Sequence, residues 1–168
     1  ASEDGLTDVI TYSVGSQGHS LAIAANALGH KATVVMPERT PLKRRQAIER
    51  TGAQVVVAGQ TLSEAQEHAE AFAASHTNVR LVEPHNDPLV IAGQATAGLG
   101  VIKQIGPALE GRGKLDAIFV VAGGSSLLAG IAAVFKSIMP HTKVIGVEAE
   151  AADVLHRSLL AGHRIADP

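Results

Sequence analysis

Val9-Ile10-Thr11-Tyr12-Ser13-Val14-Gly15-Ser16-Gln17-Gly18-His19-Ser20-Leu21-Ala22 passes from an apolar run, through small residues, into a stretch with helical periodicity. Ile118-Phe119-Val120-Val121-Ala122-Gly123-Gly124-Ser125-Ser126-Leu127-Leu128-Ala129-Gly130 repeats the design. Each reads as a buried β-strand, a small-residue loop and the start of an α-helix. At such a junction the first helical N–H groups lack intrahelical partners and the helix dipole points its positive end at the loop. Glycine also lets an anion approach the backbone closely. Both loops are therefore candidate cradles for a phosphate or a carboxylate. The alternative is a tight turn whose serine caps the helix.

Outward from these two stretches, short Val- and Ile-rich runs alternate with helical patterns along the chain. The strands read as Asp8 to Ser13, Lys31 to Met36, Gln54 to Val57, Arg80 to Val82, Asp116 to Val121 and Lys143 to Glu148. Helices begin near His19, Leu42, Leu62, Leu89, Ser126 and Ala151. Gly29 and Gly52 close the first two helices, Pro37 ends a strand and Pro107 ends the fourth helix. This alternation specifies an α/β fold of parallel sheets built from β-α units. Apart from its helical start, Leu99 to Gly113, with Gly100, Gly106, Pro107, Gly111 and Gly113, is the most linker-like stretch and is expected to separate two α/β lobes.

Composition removes several classes of function. The chain has 168 residues, 46% hydrophobic and 18% charged, which suits a globular fold with a real core and not a disordered one. No stretch approaches the roughly 18 consecutive apolar residues of a membrane span. Fourteen basic against sixteen acidic side chains give a formal net charge of -2, and the aromatics are three Phe and one Tyr. That leaves neither charge nor stacking surface for nucleic acid. The absence of cysteine excludes disulfides and thiol chemistry and fits a reducing cytoplasm. No signal-peptide pattern opens the chain, and Ala1 in place of an initiator Met fits processing or truncation.

Three known loop patterns bear on the first loop. Gly15, Gly18 and Glu38 match part of a dinucleotide fingerprint. Val14 breaks the G-x-S-x-G pattern of a serine hydrolase around Ser16, and no Walker lysine follows either loop. The eight histidines are scattered without metal-ligand spacing and read as surface or capping residues. Glu148, Glu150 and Asp153 follow the last strand, where carboxylates either hold a hard cation or favour a helix N-terminus. The basic cluster Lys43, Arg44 and Arg45 reads as a solvated helix face.

Several segments, taken in order, resemble the serine/threonine dehydratases, pyridoxal-phosphate enzymes of the tryptophan synthase β-subunit fold type (fold type II). Ser13-Val14-Gly15-Ser16-Gln17 is similar to the family's S-x-G-N-H substrate loop. Ala27-Leu28-Gly29 to Val35-Met36-Pro37 resembles its L-G-x-x-A-x-x-V-M-P, and Gly52-Ala53-Gln54-Val55 its G-A-x-V. Ile91-Ala92-Gly93-Gln94 with Thr96 looks like I-x-G-Q-x-T, and Gly123-Gly124-Ser125-Ser126-Leu127 like the G-G-G-G-L phosphate loop. Pro140 to Glu148 and Ala161-Gly162 complete the match.

The resemblance implies a partial fold of this type in two lobes, a small one over residues 8–92 and part of a large one over residues 93–168. It implies a cofactor phosphate held by Gly123, Gly124, Ser125, Ser126 and Leu127, and a substrate carboxylate held by Ser13, Gly15, Ser16 and Gln17. The implied reaction is β-elimination of a hydroxyamino acid to an oxo acid and ammonia, with pyridoxal phosphate as electron sink.

The departures from the family are specific. Its Schiff-base lysine motif, S-x-K-x-R-G-A, precedes the substrate loop, whereas only twelve residues precede Ser13 here and none is lysine. Lys31, Lys43, Lys103, Lys114, Lys136 and Lys143 lie in segments that match the family elsewhere, so no catalytic residue is assigned. The serine or cysteine facing the pyridine nitrogen would lie beyond Pro168. Ser16 stands where the family has asparagine, and Ser125 and Ser126 replace two glycines, which is costly wherever φ is positive. Their hydroxyls could add a phosphate contact. The family's cation site matches Glu148 and the carbonyl of Ala152, but Val154 fills the second carboxylate position, and no metal is assigned.

The leading expectation is a fragment or truncated relative of such a dehydratase, cytoplasmic and inactive alone for want of the lysine. The second is a non-catalytic module that binds a small amino acid or anion, or pairs as a homo-oligomer or with a complementing polypeptide. The third is a nucleotide-binding oxidoreductase.

Overall fold

The structure is a computed structural model that describes residues 7–109 and 114–165. It falls into two compact units, Ala1–Pro84 and His85–Pro168. In the first, β1 (Asp8–Tyr12), β2 (Lys31–Met36), β3 (Gln54–Val57) and β4 (Val79–Leu81) form one parallel sheet in the order β3-β2-β1-β4. The register pairs Ile10 with Thr33 and with Leu81, and Val34 with Val55. Helices α1 (Ser16–Ala27), α2 (Leu42–Glu49) and α3 (Leu62–Ala74) connect the strands.

Alternation along β2 assigns the two faces of this sheet. Ala32, Val34 and Met36 pack with Ala22 and Ala25 of α1 and Ile48 of α2. Val35, with Ile10 and Tyr12 of β1, packs on Ala65 and Ala69 of α3. A parallel sheet covered on both faces has continuous apolar strands, which is how β2 reads. Gly29 and Gly52, at φ 76 and 88, turn the chain out of α1 and α2 as the sequence predicts. Thr61 and Glu64 form a reciprocal capping box on α3. From β1 the chain steps to β2 and β3 on one side and reaches β4 on the other, so the order reverses between β1 and β4. In open α/β sheets that reversal opens a crevice at the strands' carboxyl ends.

The second unit holds α4 (Pro88–Leu109), β5 (Ala117–Val121), α5 (Ser126–Ile138), β6 (Lys143–Val147), a 3-10 turn (Glu150–Ala152) and α6 (Val154–Ala161). Strands β5 and β6 pair in parallel, with Phe119 opposite Ile145. Ile131 and Phe135 of α5 bury one sheet face through Val120, Ile118 and Val144. Helix α4 lies close against α5 because Gly130 has no side chain. A Cβ there would stand 2.6 Å from the Ile91 carbonyl oxygen and the Ala95 nitrogen.

Six expected strands are present, with ends shifted by at most a residue. The expected linker is corrected: residues 99–109 are the second half of α4, while Gly111 and Gly113 lie outside the described residues. Val101 and Ile102 pack on the core of this unit and sustain the helix past Gly100, and Pro107 sits inside the last turn instead of ending it. A lobe boundary after Ala92 would cut this helix, and the two units divide before it, at Pro84. Among the described residues α4 is also long and apolar enough, by length and composition, to cross a membrane.

Candidate functional site

The first loop follows β1 at the edge of the β1–β4 crevice. Thr11 is fully buried and donates its hydroxyl to the Val82 carbonyl at 2.8 Å, and the Tyr12 hydroxyl donates to Glu83 Oε1 at 2.6 Å. Thr11 Oγ1 also stands 3.2 Å from the Gln17 side-chain oxygen Oε1, a second acceptor for the same hydroxyl.

Ser13 is buried, and its Oγ accepts from the Gly15 N–H at 3.2 Å and the Gly18 N–H at 3.1 Å. It thus caps α1 from upstream, while Gly15 at the cap position offers no side chain. The Val14 carbonyl accepts from Arg44 Nη1 at 3.0 Å. Helix α1 starts three residues earlier than the sequence suggests, which puts Ser16 and Gln17 in its first turn. Among the described residues neither of their N–H groups has an acceptor, and the first turn carries no acidic side chain.

The second loop joins β5 to α5. No backbone N–H from Gly123 to Leu127 finds an acceptor among the described residues, and the first turn of α5 is free of acidic side chains. Ser125 has φ 66 and ψ -4, a left-handed conformation, and makes no capping bond. Ser126 begins the helix and is 7% exposed. The His85 imidazole occupies the place that a Cβ on Gly124 would take. Five consecutive donors thus meet the positive end of a helix dipole, an arrangement suited to an anion of several oxygens.

The acidic residues after β6 have other work. Both Glu148 oxygens accept from the first turn of α6, from Leu155 N–H and His156 N–H, each at 2.9 Å. Asp153 pairs with Arg157 at 2.8 Å on the surface. Among the described residues no group of three His, Asp or Glu side chains could hold a metal ion.

Two residues near the loops escaped the sequence reading. Arg44 lay hidden in a basic cluster and His85 among scattered histidines. No local pattern marks either, because each meets its loop through a long-range contact.

All of residues 1–168 match the pyridoxal-phosphate dependent enzyme family. The chain belongs to that family. This pyridoxal-phosphate family chain is 42% identical over 157 residues to the mitochondrial threonine dehydratase of Schizosaccharomyces pombe, covering 94% of itself and 25% of that protein. It is 36% identical over 165 residues to a biosynthetic L-threonine dehydratase of Pasteurella multocida, covering 98% of itself and 31% of the relative. The processed form of threonine deaminase isoform 2 from Solanum lycopersicum superposes with a TM-score of 0.84 at 37% identity, over 98% of this chain and 43% of that one. The pyridoxal-phosphate family chain therefore has the α/β fold of these enzymes and spans 25–31% of the length of the two curated relatives.

Family membership overturns the oxidoreductase alternative, and local geometry agrees. The Glu38 carboxylate is engaged by the Gln60 side-chain amide. The Gly18 N–H belongs to Ser13.

Proposed function

We propose that this chain is the part of a threonine-dehydratase-type enzyme that carries its two anion-binding loops. Ser13, Gly15, Ser16 and Gln17 serve the substrate carboxylate, through the open N–H groups of Ser16 and Gln17 and a backbone that Ser13 organises. Gly123, Gly124, Ser125, Ser126 and Leu127 serve the cofactor phosphate. The row of unpaired N–H groups at the head of α5 carries the proposal, because it matches in chemistry what a phosphate monoester needs. Pyridoxal phosphate, when bound, supplies an electron sink for loss of the α-proton and β-hydroxyl of a hydroxyamino acid. This chain's residues bind and orient.

None of the six lysines lies in a segment matching the family's cofactor-bearing lysine, so the chain turns over no substrate by itself. The test is titration with pyridoxal phosphate, followed by backbone amide shifts, borohydride reduction and intact mass. The expected result is saturable movement of the Gly123 to Leu127 amides, competed by inorganic phosphate, with no mass adduct. An adduct on Lys43 or Lys136, or oxobutyrate formation from threonine, would overturn the inactivity. Unmoved amides would overturn the phosphate loop.

A second observation favours pairing with another polypeptide or a second copy. Phe119, Val121 and Val147 are 69%, 65% and 46% exposed on one face of the β5–β6 sheet, whereas parallel sheets are ordinarily covered on both faces. A cytoplasmic location belongs to the same proposal and suits the cysteine-free sequence.

A further inference from the structure

We infer that Arg44 is a positioning residue for the carboxylate loop; the inference rests on the loop assignment proposed above. The Val14–Gly15 peptide unit is held at both ends. Its carbonyl oxygen accepts from Arg44 Nη1 at 3.0 Å, and its N–H donates to Ser13 Oγ at 3.2 Å. A peptide group is planar, so fixing the oxygen and the hydrogen fixes the whole plane. The Ser16 and Gln17 N–H groups, the open donors of the loop, follow across Gly15, whose own carbonyl accepts from the His19 N–H at 3.1 Å, so the fixed Val14–Gly15 plane sets where that run of donors starts.

Ser13 cannot do this alone, because its oxygen is shared with the Gly18 N–H and grips only one end of the unit. Among the described residues the Val14 carbonyl has no other donor. Arg44 reaches it from the first turn of α2, thirty residues along the chain. The neighbouring Arg45 turns instead to the carbonyls of Pro37 and Glu38. The two arginines thus divide the work of joining α2 to the loops after β1 and β2. The Arg44 Nη1 also lies 3.9 Å from where a Cβ on Gly15 would stand, so the guanidinium flanks the loop without entering it.

The test is a titration of the purified chain with sodium acetate against sodium chloride at equal ionic strength, read at the Ser16 and Gln17 amides. Wild type should shift saturably. Arg44→Ala should bind acetate roughly fivefold more weakly, the scale of losing one modest hydrogen bond. Arg44→Lys, which keeps a cationic donor, should stay within about twofold of wild type by the same scale. Amide shifts outside the loop should be unchanged, which separates a lost orientation from a lost fold. If Arg44→Ala does not fold, Arg44→Met keeps the apolar stem without the donor and is read the same way. Equal binding by wild type and the variant lacking the donor overturns the role of Arg44, as does a lysine variant as weak as alanine. No response in wild type overturns the loop assignment itself, and the inference with it.

Discussion

Ser125 carries the one positive φ found outside glycine among the described residues. An L side chain in the left-handed region costs roughly 1–2 kcal/mol, and glycine returns roughly 0.5–1 kcal/mol of that as backbone entropy. Ser125→Gly should therefore raise stability by roughly 0.5–1 kcal/mol, read as a higher urea midpoint at unchanged slope. The family-like loop was legible in the sequence, and so was the question whether serine is strained there. The answer at each position was not legible, because φ depends on where the helix begins: Ser125 precedes α5 and is strained, whereas Ser126 is its first residue and is not. Arg44 and His85 were illegible for a related reason. A side chain's partner across thirty or forty residues is set by the fold, and neither charge nor ring chemistry names it in advance.

Elements were easier to read than their limits. Lys31 to Met36 and Gln54 to Val57 match their strands end for end, because β-branched runs between turn residues leave few alternatives. Helix α4 was cut short in the reading because glycine and proline weaken local helix propensity. Packing against Ile131 and Val134 of α5 outweighs that at Gly98. Gly130→Ala puts a methyl group 2.6 Å from the backbone of α4, and overpacking of this kind should cost about 1–3 kcal/mol, measured by thermal unfolding. Helix α6 has eight residues, too few to persist on propensity, and it is held by a cap reaching from the end of β6. Glu148→Ala should cost about 1 kcal/mol and speed hydrogen exchange at Leu155 and His156. That cap spans seven and eight positions, beyond the three-residue spacing by which a capping box is recognised.

At the scale of the whole molecule, the α/β class and the parallel pairing were legible from alternation alone. The strand order was not, since nothing local says that β4 joins β1 and not β3. The exposed face of β5–β6 gives the clearest prediction here. The chain should associate with increasing concentration in sedimentation, and Phe119→Ser should weaken that association, because the apolar patch drives it. Strictly monomeric wild type would contradict this. The contrast between the sheets also bears on how the chain comes apart. Four strands with helices on both faces form a self-sufficient body, whereas two strands with one clothed face sit near the limit of independent stability. Heating should therefore give two calorimetric transitions, with His85–Pro168 melting first and Ala1–Pro84 surviving as the kernel from which refolding starts.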